Sequence, residues 1–71
     1  MTPLVTWRLD ASGAWEGVAT SGAVYRAKPC DRIWNLHMWS PQRHCWGYWR
    51  PADTLPEANE ACGQREQEGA S

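Results

Sequence analysis

The chain is expected to fold as an α+β domain: a four- to five-stranded antiparallel β-meander with one C-terminal α-helix packed on one face. Three observations predict this. Residues 4–50 contain short segments in which apolar and polar side chains alternate, the period-two signature of strands. Those segments are separated by brief turn-forming stretches rich in Gly, Ser and Asp, which join neighbouring strands of a meander. After Pro51 the alternation stops, and a capping sequence leads into small apolar residues at helical spacing.

The elements follow in order. In LVTWRL (4–9), Val5, Trp7 and Leu9 point one way and Thr6 and Arg8 the other. DASGAW breaks the run with Asp10, Ser12 and Gly13, and AWEGVAT (14–20) resumes it. Ser21-Gly22 turns the chain into AVYRAK (23–28). Pro29-Cys30-Asp31 is expected to interrupt. RIWNLHMW (32–39) is the fourth strand, with Trp34, Leu36 and Met38 on one side and Ile33, Asn35, His37 and Trp39 on the other. SPQRHC is a loop, and WGYWR (46–50) is a short last strand stopped by Pro51.

The helix begins with a capping box, in which Thr54 caps and Glu57 reaches back to its amide. Pro56 fits because first-turn amides have no intrahelical partner. Asp53 and Glu57 suit the positive end of the helix dipole. Leu55, Ala58, Ala61 and Cys62 form a narrow apolar stripe that lets the helix lie close to a sheet. Gly63 either ends the helix or weakens it by about 1 kcal/mol. Residues 1–68 are expected to form the single domain, with 69–71 a frayed tail.

A 71-residue chain hides only about 60% of its unfolded surface. It has six Trp and no Phe. The expected core is Trp7, Trp15, Trp34 and Trp49 with Leu4, Val5, Leu9, Ile33, Leu36 and Met38. Burying every indole is costly, since each N–H needs a partner. Some Trp are therefore expected at the surface, where they favour an interaction face. The net charge of −1 conceals an uneven layout: residues 1–50 sum to +3 and residues 51–71 to −4.

A single helix covers one face of the sheet. Strict alternation assigns Arg8, Glu16, Arg26, Lys28, His37, Trp39, Trp46, Tyr48 and Arg50 to the other face. A bulge or slip in the last two strands would invert part of this assignment and exchange Trp46 with Trp49. An open face of cations and aromatics suits a protein partner, because Trp, Tyr and Arg dominate interface hot spots. It equally suits single-stranded nucleic acid, where bases stack and cations hold phosphates. The candidate partner-binding residues are Trp39, Arg43, Trp46, Tyr48, Arg26, Lys28 and Arg50. Asp53, Glu57, Glu60 and Glu66 form a second candidate, an acidic face that imitates phosphates toward a basic groove.

Other chemistry is poorly supported. Cys30, His37, His44, Cys45 and Cys62 show no C-x2-C or H-x3-H spacing, and adjacent His44 and Cys45 point to opposite sides of a strand. Cys62 reads as a small apolar residue of the helix stripe. Nothing marks an activated thiol, and no nucleophile elbow, phosphate loop or paired carboxylates occur. The expectation is a non-enzyme with neither metal nor cofactor. The N-terminal MTPLVTWRLD lacks a secretion pattern, and no run approaches the roughly 18 apolar residues of a membrane span. A cytoplasmic protein with reduced thiols and no membrane partner is expected, as monomer or homodimer.

The Trp-bearing strand, the Gly22-to-Lys28 strand, the Trp-rich hairpin and then Thr54, Leu55, Glu57, Ala58, Ala61 and Cys62 together resemble small phage and prophage accessory proteins of sheet-plus-helix type. Some proteins of that size and charge layout are inhibitors of host defence, including anti-CRISPR proteins. The resemblance implies a protein that binds a host protein or ribonucleoprotein complex inside the bacterial cell. A single-stranded nucleic-acid binder and a phage structural or assembly subunit are the alternatives.

Overall fold

The computed structural model describes residues 4–70, with side chains through residue 68. Strands β1 (Val5–Leu9), β2 (Trp15–Ala19), β3 (Val24–Cys30), β4 (Ile33–Ser40) and β5 (Cys45–Ala52) form one open sheet, followed by helix α1 (Leu55–Ala70). Every pairing is antiparallel and the spatial order is β1-β2-β3-β4-β5. The expected α+β meander is therefore observed, in its five-stranded form.

Local chemistry sets the turns. The Asp10 carboxylate accepts hydrogen bonds from the amides of Ser12 (2.8 Å) and Ala14 (3.1 Å) and from the Ser12 hydroxyl (2.6 Å). Gly13 and Gly22 take positive φ, which glycine adopts without a Cβ clash. Asp31 and His44 also have positive φ, at the β3–β4 and β4–β5 turns; Asp and His are among the side chains that tolerate this region best.

Two prolines expected to end strands lie within them. Pro29 pairs with Trp34, and Pro51 with Asn35. The β2–β3 ladder ends at Trp15–Ala27, so Pro29 has a strand on one side only. Pro51 lies on the edge strand β5. Both positions tolerate a missing amide donor.

Strand β5 carries a bulge. Leu36 pairs with Arg50 and His37 with Tyr48, leaving Trp49 as the extra residue. Trp49 packs under the helix, as expected, and Trp46 stays on the opposite face with its partner Trp39. Arg50 differs from expectation. Its cross-strand partner is the buried, helix-side Leu36, so the bulge removes Arg50 from the open face.

Small residues make up most of the core. Ala14, Ala19, Ala27, Ala52, Ala58 and Ala61 are buried with Val5, Tyr25, Leu36 and Cys62. Trp7, Trp15, Trp34 and Trp49 form a half-buried surround against this centre. Leu9 is 55% exposed and Leu4 37% exposed, against their expected core roles. Leu9 ends an edge strand, with β2 as its only neighbour.

The helix is tied down by polar as well as apolar contacts. The Glu57 amide donates to Thr54 Oγ1 at 3.2 Å, and the Glu57 carboxylate accepts from the Asp53 amide at 3.0 Å, one residue earlier than expected. Trp7 Nε1 donates to Asn59 Oδ1 at 2.9 Å. Further along, Tyr25 Oη donates to Glu66 at 2.5 Å, Ser21 Oγ donates to the same carboxylate, and the Arg65 guanidinium sits 5.9 Å from the Trp49 ring. These anchors lie beyond Gly63, and the helix continues through it to Ala70. Ser71, the last residue of the expected tail, lies outside the described residues.

Candidate interaction face

The open face is organised as rows running across the strands, because cross-strand partners point to the same side. One row crosses all five strands: Arg8, Glu16, Arg26, His37 and Tyr48. Beside it lie Thr6, Val18 and Val24 on β1–β3, continued by Trp39 and Trp46 on β4–β5. The Tyr25–Met38 pair sets Val24 opposite Trp39, so the second row is also continuous. On the far side of the charged row, Lys28 pairs with Asn35 and Asn35 with Pro51.

Arg26 is the centre of this face. Its guanidinium lies 4.7 Å from the centroid of the Trp46 ring, within the range of cation–π attraction. It also approaches Asp10 at 3.8 Å and Glu16 at 3.7 Å. Arg26 Nε and the adjacent His37 Nδ1 are buried without hydrogen-bond partners among the described residues. The Ser12 hydroxyl, helped by the amides of Ser12 and Ala14 and by Arg26, holds the Asp10 carboxyl below its ordinary pKa against the opposing effect of burial. Asp10 thus remains charged opposite Arg26.

The aromatic side chains touch one another. Trp39 and Trp46 meet edge to face at 5.5 Å, His37 and Tyr48 at 5.6 Å, and Trp39 and His44 at 6.5 Å. These are favourable geometries for ring quadrupoles. Tyr48 is 60% exposed and Trp39 36%, while Trp46 and His37 are half-buried. The cluster is both fixed in place and accessible.

The other candidate residues are placed as follows. Lys28 is exposed on the open face, one row beyond Arg26. Arg43 is exposed in the loop between β4 and β5, on the rim of a groove of about 360 Å3 that also touches Met38, Cys45 and Arg65. The four acids do not share a face. Glu57 closes the helix N-terminus and Glu66 binds Tyr25 and Ser21. At about 100° per residue, Glu66 projects roughly 180° from Glu57. Asp53 and Glu60 are exposed. Cys30 and Cys45 are exposed thiols and Cys62 is buried, in keeping with its place in the stripe. Among the described residues no three His, Cys, Asp or Glu side chains are grouped to hold a metal ion. No helix there is long and apolar enough to cross a membrane.

Alternation places Glu16 and His37 on the open face, but neither they nor Asp10 are among the expected partner-binding residues. A signal was available for two of them: counting register through the Ser21-Gly22 turn sets Glu16 beside Arg26, and the short β3–β4 turn sets His37 on its other side. No family model matches the chain, and no curated protein or solved structure is similar to it at a significant level.

Proposed function

We propose that this is a non-enzymatic phage-type protein that works by binding another protein, and that its target is a bacterial CRISPR-type defence complex in the host cytoplasm. The protein-binding part rests on one observation: the aromatic cluster of Trp39, Trp46, His37 and Tyr48 beside Arg26, packed ring against ring with Trp39 and Tyr48 exposed. Rings already locked against each other lose little entropy when a partner covers them, and Trp, Tyr and Arg are the residues that contribute most at interfaces. The phage and defence-inhibitor part rests on the resemblance in size, sequence style and charge layout.

The charges favour protein over nucleic acid. The central cation already faces two carboxylates, Asp10 and Glu16, and the same carboxylates repel a phosphate backbone. The deciding experiment adds the purified chain to purified RNA-guided effector complexes and follows both binding and cleavage of target DNA. Binding that blocks cleavage, and that is lost in Trp39→Ala/Trp46→Ala, is expected. Salt-dependent binding of single-stranded DNA or RNA, with no protein partner, would overturn the proposal.

A further inference from the structure

We infer that in the free protein the open face is covered by a second copy of the chain. The two sheets pack face to face about a two-fold axis that runs near the strand direction, between β3 and β4. This goes beyond the protein-binding reading, because it names what occupies the face before a target arrives.

The first argument is the order of the apolar row. Val18, Val24, Trp39 and Trp46 run from β2 to β5, two small side chains followed by two large ones. A two-fold axis along the strands reverses this row onto itself. Val18 then meets Trp46 of the second copy and Val24 meets Trp39, and the symmetry makes each pair twice. Every large ring faces a small side chain, which is how facing layers interdigitate. An axis along the row would instead set Trp39 on Trp39 and Trp46 on Trp46, with the valines facing one another across a gap.

The second argument is charge. The row beside the apolar one holds Arg8, Glu16 and Arg26, and Asp10 approaches Arg26. Two cations and two carboxylates leave this flank neutral. Arg26 has its own counter-ions, Asp10 at 3.8 Å and Glu16 at 3.7 Å, so it can be covered without a charge from the occupant. A strongly acidic or basic partner finds no net field to match, whereas a second copy brings an equally neutral flank. In the same arrangement Glu16 lies over Tyr48 of the second copy, whose exposed phenol can donate to the carboxylate. Arg26 lies over the His37 ring, and a guanidinium stacks well on aromatic faces.

The third argument is the surface on offer. Helix α1 takes the other face of the sheet, and Pro51 weakens the β5 rim as a template for strand pairing. Four overlapping strands about 4.8 Å apart, each with three side-chain rows about 6.7 Å apart, give a flat footprint of ~400 Å2. Side-chain relief raises the accessible area above that, but the total stays below the roughly 1,600 Å2 of a standard interface. The pair is therefore reversible, and a target that binds the same face competes with the second copy.

Sedimentation velocity between about 1 µM and about 300 µM should show a monomer–dimer equilibrium with Kd of about 1–100 µM. On dilution, nuclear magnetic resonance should show the indole signals of Trp39 and Trp46 shifting, while that of Trp7, bonded to Asn59, stays in place. The register is tested by exchanging the members of one pair. Val24→Trp alone sets ring on ring and Trp39→Val alone leaves a gap, so each should weaken pairing by about tenfold or more. Mixed one to one, the two variants regain a large side chain against a small one at both contacts, and should pair about as tightly as the parent. Circular dichroism checks the fold of each variant, and if either fails to fold, the dilution spectra of the parent decide. A parent chain that stays monomeric at about 300 µM, dilution shifts confined to other surfaces, or a mixture of folded variants that pairs no better than either alone overturns the inference. If the chain is monomeric and effector binding still requires Trp39 and Trp46, the protein-binding proposal stands and the pairing does not. If the pair forms and no effector complex is bound, the pairing stands without that proposal.

Discussion

Gly17→Ala should destabilise the protein by about 1–2 kcal/mol, although alanine suits a strand better than glycine does. Gly17 lies on β2 opposite Trp7 and faces the helix side. A methyl group there would approach Val5 Cγ1 to 2.8 Å and the Trp7 ring carbons Cε3 and Cζ3 to 2.9 Å. Favourable carbon contacts lie near 3.5–4.0 Å, so each neighbour must retreat. Val5 is buried and cannot. Trp7 can retreat only by straining or breaking its indole hydrogen bond to Asn59, 2.9 Å long. Overpacking of this kind costs about 1–3 kcal/mol. The gain from a less flexible unfolded chain offsets about 0.4–1 kcal/mol, which leaves the net loss stated. The assay is urea unfolding followed by Trp fluorescence, with calorimetry beside it. The urea midpoint should fall at unchanged slope, and Tm should drop by roughly 4–16 °C. Asn59→Ala adds a check. It should cost about 1 kcal/mol in the parent chain and less in Gly17→Ala, because there the ring has already moved. A Gly17→Ala protein as stable as its parent, or strictly additive losses, would refute the reasoning.

Three further outcomes are expected. The Ser21 and Tyr25 hydroxyls, with a smaller contribution from Arg65, hold the Glu66 carboxyl below its ordinary value of 4.5. Its stabilising contribution is therefore present above that value and lost as pH falls through the lower folded-state value. Acid titration of the melting temperature should show a loss below pH 4.5 that flattens in Glu66→Gln. Cys30 and Cys45 should react with a thiol reagent in the folded protein, whereas Cys62, whose thiol is pushed up to about 12 by burial and by Glu66, should react only in denaturant; rapid labelling of all three thiols in buffer would contradict this packing. Thr54→Ala should cost about 1 kcal/mol by removing the oxygen that accepts the Glu57 amide, and an unchanged urea midpoint would argue against that cap.

The elements were legible in the sequence where their signals are local. Alternation located all five strands, and Thr54 with Glu57 located the start of the helix, because these patterns act within a few residues. What the sequence obscured depends on distant neighbours. Pro29 and Pro51 were read as strand breakers, since a proline reveals nothing about whether a strand pairs on one side or both. Glu66 read as one acid of a phosphate-imitating face. Its role comes from Tyr25, forty-one residues away. Asp10 was recognised as a turn former, which it is, but its approach to Arg26 depends on two successive hairpin registers. The open-face aromatics Trp39, Trp46 and Tyr48 were placed correctly because the irregularity in β5 falls after them. Arg50, just beyond it, was not.

That irregularity has a consequence for how the molecule meets others. In an uninterrupted strand, residues on one face are separated by even numbers, yet Trp49 and Ala52 both turn inward across an interval of three. The bulge corrects the parity and distorts the rim of the sheet as it does so. With Pro51 two residues on, the tail of β5 makes a poor template for a foreign strand, and β1, the other rim, is only five residues long. Backbone-to-backbone extension of the sheet is thereby discouraged at both ends. Recognition is left to the side chains on the broad surface between them, where a partner can be selected by its own sequence.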